Sequence, residues 1–308
     1  RESLGITYLE PGIYTQMRLI IGTSPGAGLN IFNTEHPFAN YVIDKDDGEV
    51  HELKIPSGEE TGVKIVATFE IVNGETTELI LDFDAMRSVV KAGSSGQYLL
   101  KPTVKVLETT EFSLVSGTVF NSAVLNSAVL GSEILPESYV TAQTANDAAA
   151  DDKDLVVIET GTISDENGEY ALFLAPDAYN LVATKAGYNA ACFSKELAAG
   201  EIAVVDLGLQ EDSALPGTVS GSISLPGASD EQYATIDFRQ EVNCQSEGAE
   251  TLEMVTVKTI NIANGGDYVV ELPAGNYQIV AWSYDKGTET YDITVVSDVD
   301  TPQNITLN

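Results

Sequence analysis

The sequence predicts an all-β chain made of three tandem β-sandwich modules, and three observations carry that reading. Segments rich in Val, Ile, Thr and Tyr alternate apolar and polar residues and are bounded by Gly, Pro, Asn and Asp, as half-buried antiparallel strands are. Residues 160–188 and 258–286 are two copies of one β-unit, with Tyr170 falling on Tyr268 and Tyr179 on Tyr277, each 98 positions on. A repeat of that period is too long for a solenoid and fits whole domains in tandem. Helical patterning is confined to a short turn at 84–91, which Asp84 would cap through Ser88, and an Ala-rich stretch at 142–152 read as loop because Asp and Asn are dense in it.

The elements follow in order. Module one, residues 1–110, carries strands at 14–21, 50–55, 62–71, 75–83 and 98–107. Module two, residues 111–210, opens at Ser116-Gly117-Thr118-Val119, passes Tyr139-Val140-Thr141, enters the first copy of the repeat and closes with a strand at 202–209. A linker at 210–216 leads into module three, residues 211–308, which opens at Ser220-Gly221-Ser222-Ile223, passes Tyr233-Ala234-Thr235 and a strand at 251–262, and closes at 303–308. Leu209 and Leu307 keep the offset of 98, whereas the openings differ by 104, so the insertion lies in the loops between.

Composition narrows the function. Asp and Glu outnumber Lys and Arg by 47 to 15, a net charge of −32, and no basic cluster exists, which argues strongly against nucleic acid or anionic membrane as partners. The charge reads as a solvated surface, suited to salt or divalent cations outside the cell. No run of about 18 apolar residues is present. The chain opens at Arg1 without a signal peptide, which suggests a mature form after removal of an N-terminal segment, or a trimmed chain. Cys192 and Cys244 lie in different modules; an oxidising compartment permits a disulfide between them, and the sequence leaves the pairing open. The lack of Cys-x-x-Cys-His excludes covalent c-type haem. Asn304-Ile305-Thr306 is the one glycosylation sequon.

Candidate chemical groups read as structural. The run Asp44, Asp46, Asp47 departs from a calcium loop, since Gly48 is fifth and Ile55 twelfth, and Asp47-Gly48 is a hairpin turn by preference. Asp165-Glu166-Asn167-Gly168 is a turn for the same reason, its counterpart having lost the acids. Asp82 and Asp84 share a strand face, but Asp84 is placed to cap and Asp82 to accept backbone or Lys64 hydrogen bonds. His36 and His51 lack zinc-site spacing. There is no Gly-x-Ser-x-Gly elbow and no phosphate loop. Trp282 reads as sandwich-edge packing rather than a sugar platform. No catalytic residue, metal or cofactor is expected.

The elements Ser116-Gly117-Thr118-Val119, Asn167-Gly168-Glu169-Tyr170, Tyr179 and Gly187-Tyr188 of module two resemble the carboxypeptidase regulatory-like family, a transthyretin-like β-sandwich. Module three keeps Gly266-Asp267-Tyr268 and Pro273-Ala274-Gly275-Asn276-Tyr277 as a divergent member. That resemblance implies spacers, stalks and folding aids of immunoglobulin-like or transthyretin-like architecture, without peptidase activity. Module one resembles the domain of unknown function 4382 family through Pro11-Gly12-Ile13-Tyr14-Thr15-Gln16-Met17-Arg18-Leu19, Leu53-Lys54-Ile55-Pro56, Thr61-Gly62-Val63, Leu81-Asp82-Phe83-Asp84-Ala85-Met86 and Tyr98-Leu99-Leu100-Lys101-Pro102. That family implies a secreted or cell-envelope protein. Its members carry further strands before the Pro-Gly-Ile-Tyr element, and about nine residues precede it here, so a truncated start is expected.

A sandwich lacking a strand exposes an apolar groove and an unpaired edge. Leu4, Ile6 and Tyr8 alternate with Gly5 and Thr7, so this segment suits addition to another sheet. The expected function is a secreted, cell-surface filament subunit, pilus-like and not an enzyme, that polymerises with itself by strand donation through Leu4, Ile6 and Tyr8. The alternative is a monomeric or tethered surface stalk or adhesin, with a carbohydrate as one candidate ligand.

Overall fold

The computed structural model describes residues 7–30, 34–43, 49–55, 62–83, 87–92, 97–102, 104–108, 112–122, 133–229, 232–246 and 248–308. The chain is nearly all β, and no α-helix occurs among the described residues. Among the described residues the two largest hydrophobic cores form from residues between Val115 and Leu209 and from residues between Val219 and Leu307.

Each core lies between two sheets. In module two, the strand Ser113–Asn121 pairs antiparallel with Glu169–Leu174 and parallel with Ile202–Val204 and Leu207–Glu211. The facing sheet runs Val156–Ile163, Tyr139–Ala145, Ala178–Thr184, Ala191–Glu196. Module three repeats this with Gly217–Ser224 against Asp267–Leu272, Asp300–Pro302 and Ile305–Thr306, facing Ala249–Ala263, Tyr233–Ser246, Gly275–Ser283 and Thr288–Val295. Val115, Val119, Leu181 and Leu209 are fully buried in one core, and Val219, Ile223, Ile279 and Leu307 fill the same places in the other.

The tyrosines of the repeat occupy equivalent positions. Tyr170 sits opposite Gly117 and donates its hydroxyl to the Val205 carbonyl (2.7 Å); Tyr268 sits opposite Gly221 and donates to the Gln303 carbonyl. Tyr179 donates to the Ala175 carbonyl at 3.0 Å and Tyr277 to the Pro273 carbonyl at 2.9 Å. The tyrosines and their carbonyl acceptors keep the offset of 98, and the two glycines the offset of 104. The glycines are there for space: a Cβ at Gly117 would stand 1.8 Å from the Val205 carbonyl oxygen, and at Gly221 1.9 Å from that of Gln303.

The register differs from the sequence alignment on one strand. A bulge falls between Ala142 and Gln143 in module two and between Phe238 and Arg239 in module three, so Gln143 corresponds to Arg239, 96 positions on. The likeness of Tyr139-Val140-Thr141 to Tyr233-Ala234-Thr235 is therefore two residues out of step. The cause is core packing: Ala142 pairs with Leu181 and Phe238 with Ile279, and these pairs set the alignment. The Ala-rich stretch expected as loop begins as strand to Ala145, then turns through a short 3-10 helix, Asp152–Asp154. The turn expected at 84–91 becomes strand at Val89–Ala92; Asp84 lies outside the described residues.

Module one is built of short strands. The segment expected at 14–21 forms Gly12–Tyr14, paired with Phe69–Ile71, and Met17–Leu19, paired with Val63–Ile65. The segment expected at 98–107 splits into Gln97–Leu100 and Val104–Glu108 around Pro102.

The modules are not separate beads. The strands Tyr233–Ser246 and Ala249–Ala263 form one hairpin that outreaches its own core. Its far end adds parallel to the module-two strand Ala191–Glu196, and Ile262 bridges to Lys91 of module one, so one sheet of twelve strands runs through the chain. Replacing Gly221 with Ala should destabilise module three by about 2–4 kcal/mol, since the crossing strand must retreat from its Cβ. Urea unfolding followed by near-ultraviolet circular dichroism measures this; a loss below about 0.5 kcal/mol would contradict the packing.

Candidate functional site

Alternation along Tyr233–Ser246 sends Ile236 and Phe238 into the core and Thr235, Asp237 and Arg239 to the opposite face. A polar outer face of this kind normally meets water. Here it is buried, because the other two modules cover it.

Arg239 is fully buried and its guanidinium donates to the carbonyls of Asp152 (2.7 Å), Lys153 (3.2 Å) and Val156 (3.1 Å), all in module two. The equivalent residue of module two returns the contact: Gln143 donates Nε2 to the Thr256 carbonyl at 2.7 Å and accepts from the Thr256 amide at 2.8 Å. Each module thus sends the side chain following its bulge into the backbone of the other. Asp237 accepts from the Thr259 hydroxyl at 2.6 Å and lies 3.7 Å from Arg239. Burial pushes the Asp237 carboxyl above the usual carboxylate range, against the opposing pull of Thr259, Arg239 and Arg87.

Module one docks on the same face. Lys101 donates to Thr235 Oγ1 (3.3 Å) and Asn261 Oδ1 (3.4 Å) and lies 4.7 Å above the Tyr233 ring. Arg87 donates to the Ile158 carbonyl at 2.6 Å. All three modules therefore meet around Asp237. Beside this junction is a cavity of about 250 Å³, lined among others by Arg87, Lys185, Lys258, Asp212, Pro216 and Tyr277. Its lining combines three cations and three carboxylates with ring and aliphatic edges. No serine, cysteine or histidine lines it among the described residues, and the shifted carboxylates Asp151, Glu201 and Asp237 lie outside it.

At the far end of the hairpin Cys192 and Cys244 sit opposite each other on parallel strands, with Cα atoms 4.4 Å apart, and form a disulfide. Val182 and Val255 complete the small apolar cluster around it. Of the other residues singled out in the sequence, Leu4, Ile6, Asp44, Asp46, Asp47 and Asp84 lie outside the described residues. Tyr8 is 98% exposed. The backbone of Asp82 stands in register with that of Lys105 on a neighbouring strand. His36 Nδ1 lies 3.3 Å from the Tyr41 hydroxyl and His51 packs 4.7 Å from the Tyr98 ring. Trp282 lies within the strand Gly275–Ser283 rather than at a turn, half-buried opposite Thr235 and Thr288. Sequence reasoning missed Gln143, Asp237 and Arg239; the available signal was an acid and a base flanking Phe238 inside an apolar strand.

Residues 1–102 match the family described as "Domain of unknown function (DUF4382)". No curated protein matches. Among solved structures, the shaft pilin SpaA of Lactobacillus rhamnosus GG is similar at 14% identity and a TM-score of 0.25, over 64% of this chain and 97% of that one. A streptococcal ancillary pilin is similar at 13% identity and a TM-score of 0.25, over 80% and 71% of the two chains. The Bacillus anthracis TIE protein is similar at 13% identity and a TM-score of 0.25, over 87% and 46%. Similarity at this level carries no argument about assembly or activity. No helix among the described residues is long and apolar enough to cross a membrane.

Two outcomes are expected at the junction. The native state binds the Asp237 proton more tightly than the unfolded chain does, because its folded pKa is raised. Its contribution favours the native state below the ordinary value of 3.8 and is lost as pH rises toward the folded pKa. Asp237→Asn should therefore flatten stability against pH above 3.8 relative to wild type; an unchanged profile in denaturant melts would contradict this. Replacing Cys192 and Cys244 with Ala opens a link across 52 residues, for which loop entropy predicts a loss of about 4 kcal/mol. Calorimetry of the oxidised wild type and the double variant reads it, and equal melting temperatures would count against the staple.

Proposed function

We propose that the chain is a structural subunit of an extracellular or cell-surface filament, joined to its neighbours by β-strand addition, and not an enzyme. The observation that carries this reading is the shared hairpin with its disulfide and buried Arg239. Modules joined through a linker alone move relative to one another. These are joined by a backbone ladder, a covalent bond and reciprocal buried hydrogen bonds, as a rod under tension requires. The disulfide suits an oxidising compartment outside the cytosol. Tyr8, almost fully exposed, and the alternation Leu4, Ile6, Tyr8 supply a strand to donate. On this reading residues 111–210 and 211–308 are a pair of carboxypeptidase regulatory-like sandwiches, supported by the matching tyrosine bonds.

Negative-stain electron microscopy and sedimentation of the full chain test the reading. Wild type should form filaments, more readily as salt screens the charge of −32. Ile6→Asp should abolish them and leave the melting of modules two and three unchanged. A wild-type chain that remains monomeric at every salt concentration would leave the stalk reading in place.

A further inference from the structure

Within one chain the two sandwiches provide an internal comparison, and they differ at one edge. In both modules a short strand pairs parallel with the opening strand: Ile202–Val204 in module two and Asp300–Pro302 in module three. The hydrogen bonds match. Leu114 N donates to the Glu201 carbonyl and Val205 N to that of Ser116, while Thr218 N donates to the Val299 carbonyl and Gln303 N to that of Ser220. In a parallel ladder the intervening residues alternate, so the main-chain groups of positions 202 and 204, and of 300 and 302, face away from the sheet.

Module three closes that edge. Pro302 has no N–H to offer, and the Asp300 carboxylate accepts from the Thr218 hydroxyl at 3.0 Å and the Ser220 hydroxyl at 2.8 Å. Proline and charge are how natural edges are blunted. Module two has Ile202 and Val204 at those positions, 75% and 73% exposed. Their main-chain groups have no strand partner among the described residues. The adjoining rows differ in the same sense. Across the outer face Phe173, Leu114 and Ile202 stand in line, where module three has Glu271, Thr218 and Asp300.

We infer that the Ile202–Val204 edge of module two is the acceptor for a strand from a second copy of this chain, the segment Leu4–Tyr8. This inference rests on the filament reading and adds to it the place of docking. Three observations select that occupant. The sequence places apolar residues at every second position of the segment, Leu4, Ile6 and Tyr8, the pattern that shares one face once a strand is added, and the exposed row of Ile202 and Val204 presents a face to meet it. Tyr8 is 98% exposed, with no cover from the described residues. Residues 1–9 hold one base and one acid, Arg1 and Glu2, so in a chain of net charge −32 this segment approaches without adding repulsion. A donor in module one and an acceptor in module two make a head-to-tail contact that extends instead of closing.

The test transfers module three's own solution to module two. Ile202→Asp with Val204→Pro places residues that the same fold already tolerates at the equivalent positions, and unchanged melting verifies folding. In about 0.5 M salt, where charge is screened, this variant of the full chain should remain monomeric. A peptide of residues 1–9 should bind the Ile6→Asp chain and bind the same chain carrying the edge substitutions at least tenfold more weakly. The converse change, Asp300→Ile with Pro302→Val in the Ile6→Asp chain, should raise the peptide stoichiometry from one to two. Filaments from the edge variant equal to those of wild type, or equal peptide affinity for both edges, would overturn the placement and leave the filament reading standing. A wild-type chain that neither polymerises nor binds the peptide would overturn both.

Discussion

The arrangement of this molecule depends on one hairpin, Tyr233–Ser246 with Ala249–Ala263. A two-stranded ribbon of that length is marginal alone in water. Its base is secured because Ile236 and Phe238 are fully buried in module three. Its tip is secured because Cys244 is bonded to Cys192 and packed against Val182 and Val255. Module one meets it at Ile262. Removing the ribbon would leave module two attached through residues 210–216 and module one without the strand beside it, so the ladder, not the linker, sets the spacing of the modules.

The polar character of the junction follows from strand alternation and side-chain length. The bulge places its extra residue, Glu159 or Val257, on the partner strand, while Gln143 and Arg239 stay in phase on their own strands and are long enough to cross to the neighbouring backbone. Burying Arg239 carries a large desolvation cost, offset by three carbonyl acceptors and the carboxylate of Asp237. A well-packed apolar pair would contribute similar stability. Hydrogen bonds add direction: three carbonyls converging on one guanidinium are satisfied in one orientation of module two against module three, and sliding by a residue leaves them unpaired.

How much of this was legible in the sequence depended on where each constraint acts. The tyrosines could be read because their hydroxyls bond within the module, to the carbonyl four residues back or to the crossing strand, so every copy must keep them at one offset. The match of Tyr139 to Tyr233 misled because both sit before the bulge, where identity costs little and register is decided further on by Ala142 and Phe238. The junction was hidden for another reason. Its two equivalent residues are a glutamine and an arginine, which align as a difference, and their partners are backbone carbonyls that no side-chain pattern records. The hairpin tip of module three likewise replaces a turn and 3-10 helix in module two. In module one short strands around Pro and Gly carry too few alternations to fix their ends.

Charge ties these features together. The chain has 15 basic residues against 47 acidic ones, and several of the basic side chains point inward. Arg239 and Arg87 hold carbonyls of module two, Lys101 joins module one to module three, and Lys185 donates to the Pro136 carbonyl at 2.6 Å. Cations spent on internal joints do not neutralise the outside, so the surface stays acidic and repels other copies over about a Debye length. A contact between copies of such a chain is favoured where it acts at short range and needs no ion pair. Main-chain ladders and apolar rows have both properties. The divergence of the two repeats follows the same division: module three gives its extended strands to internal docking and guards its outer edge with Asp300 and Pro302, while module two receives the hairpin on one sheet and leaves the edge of the other without a strand partner among the described residues.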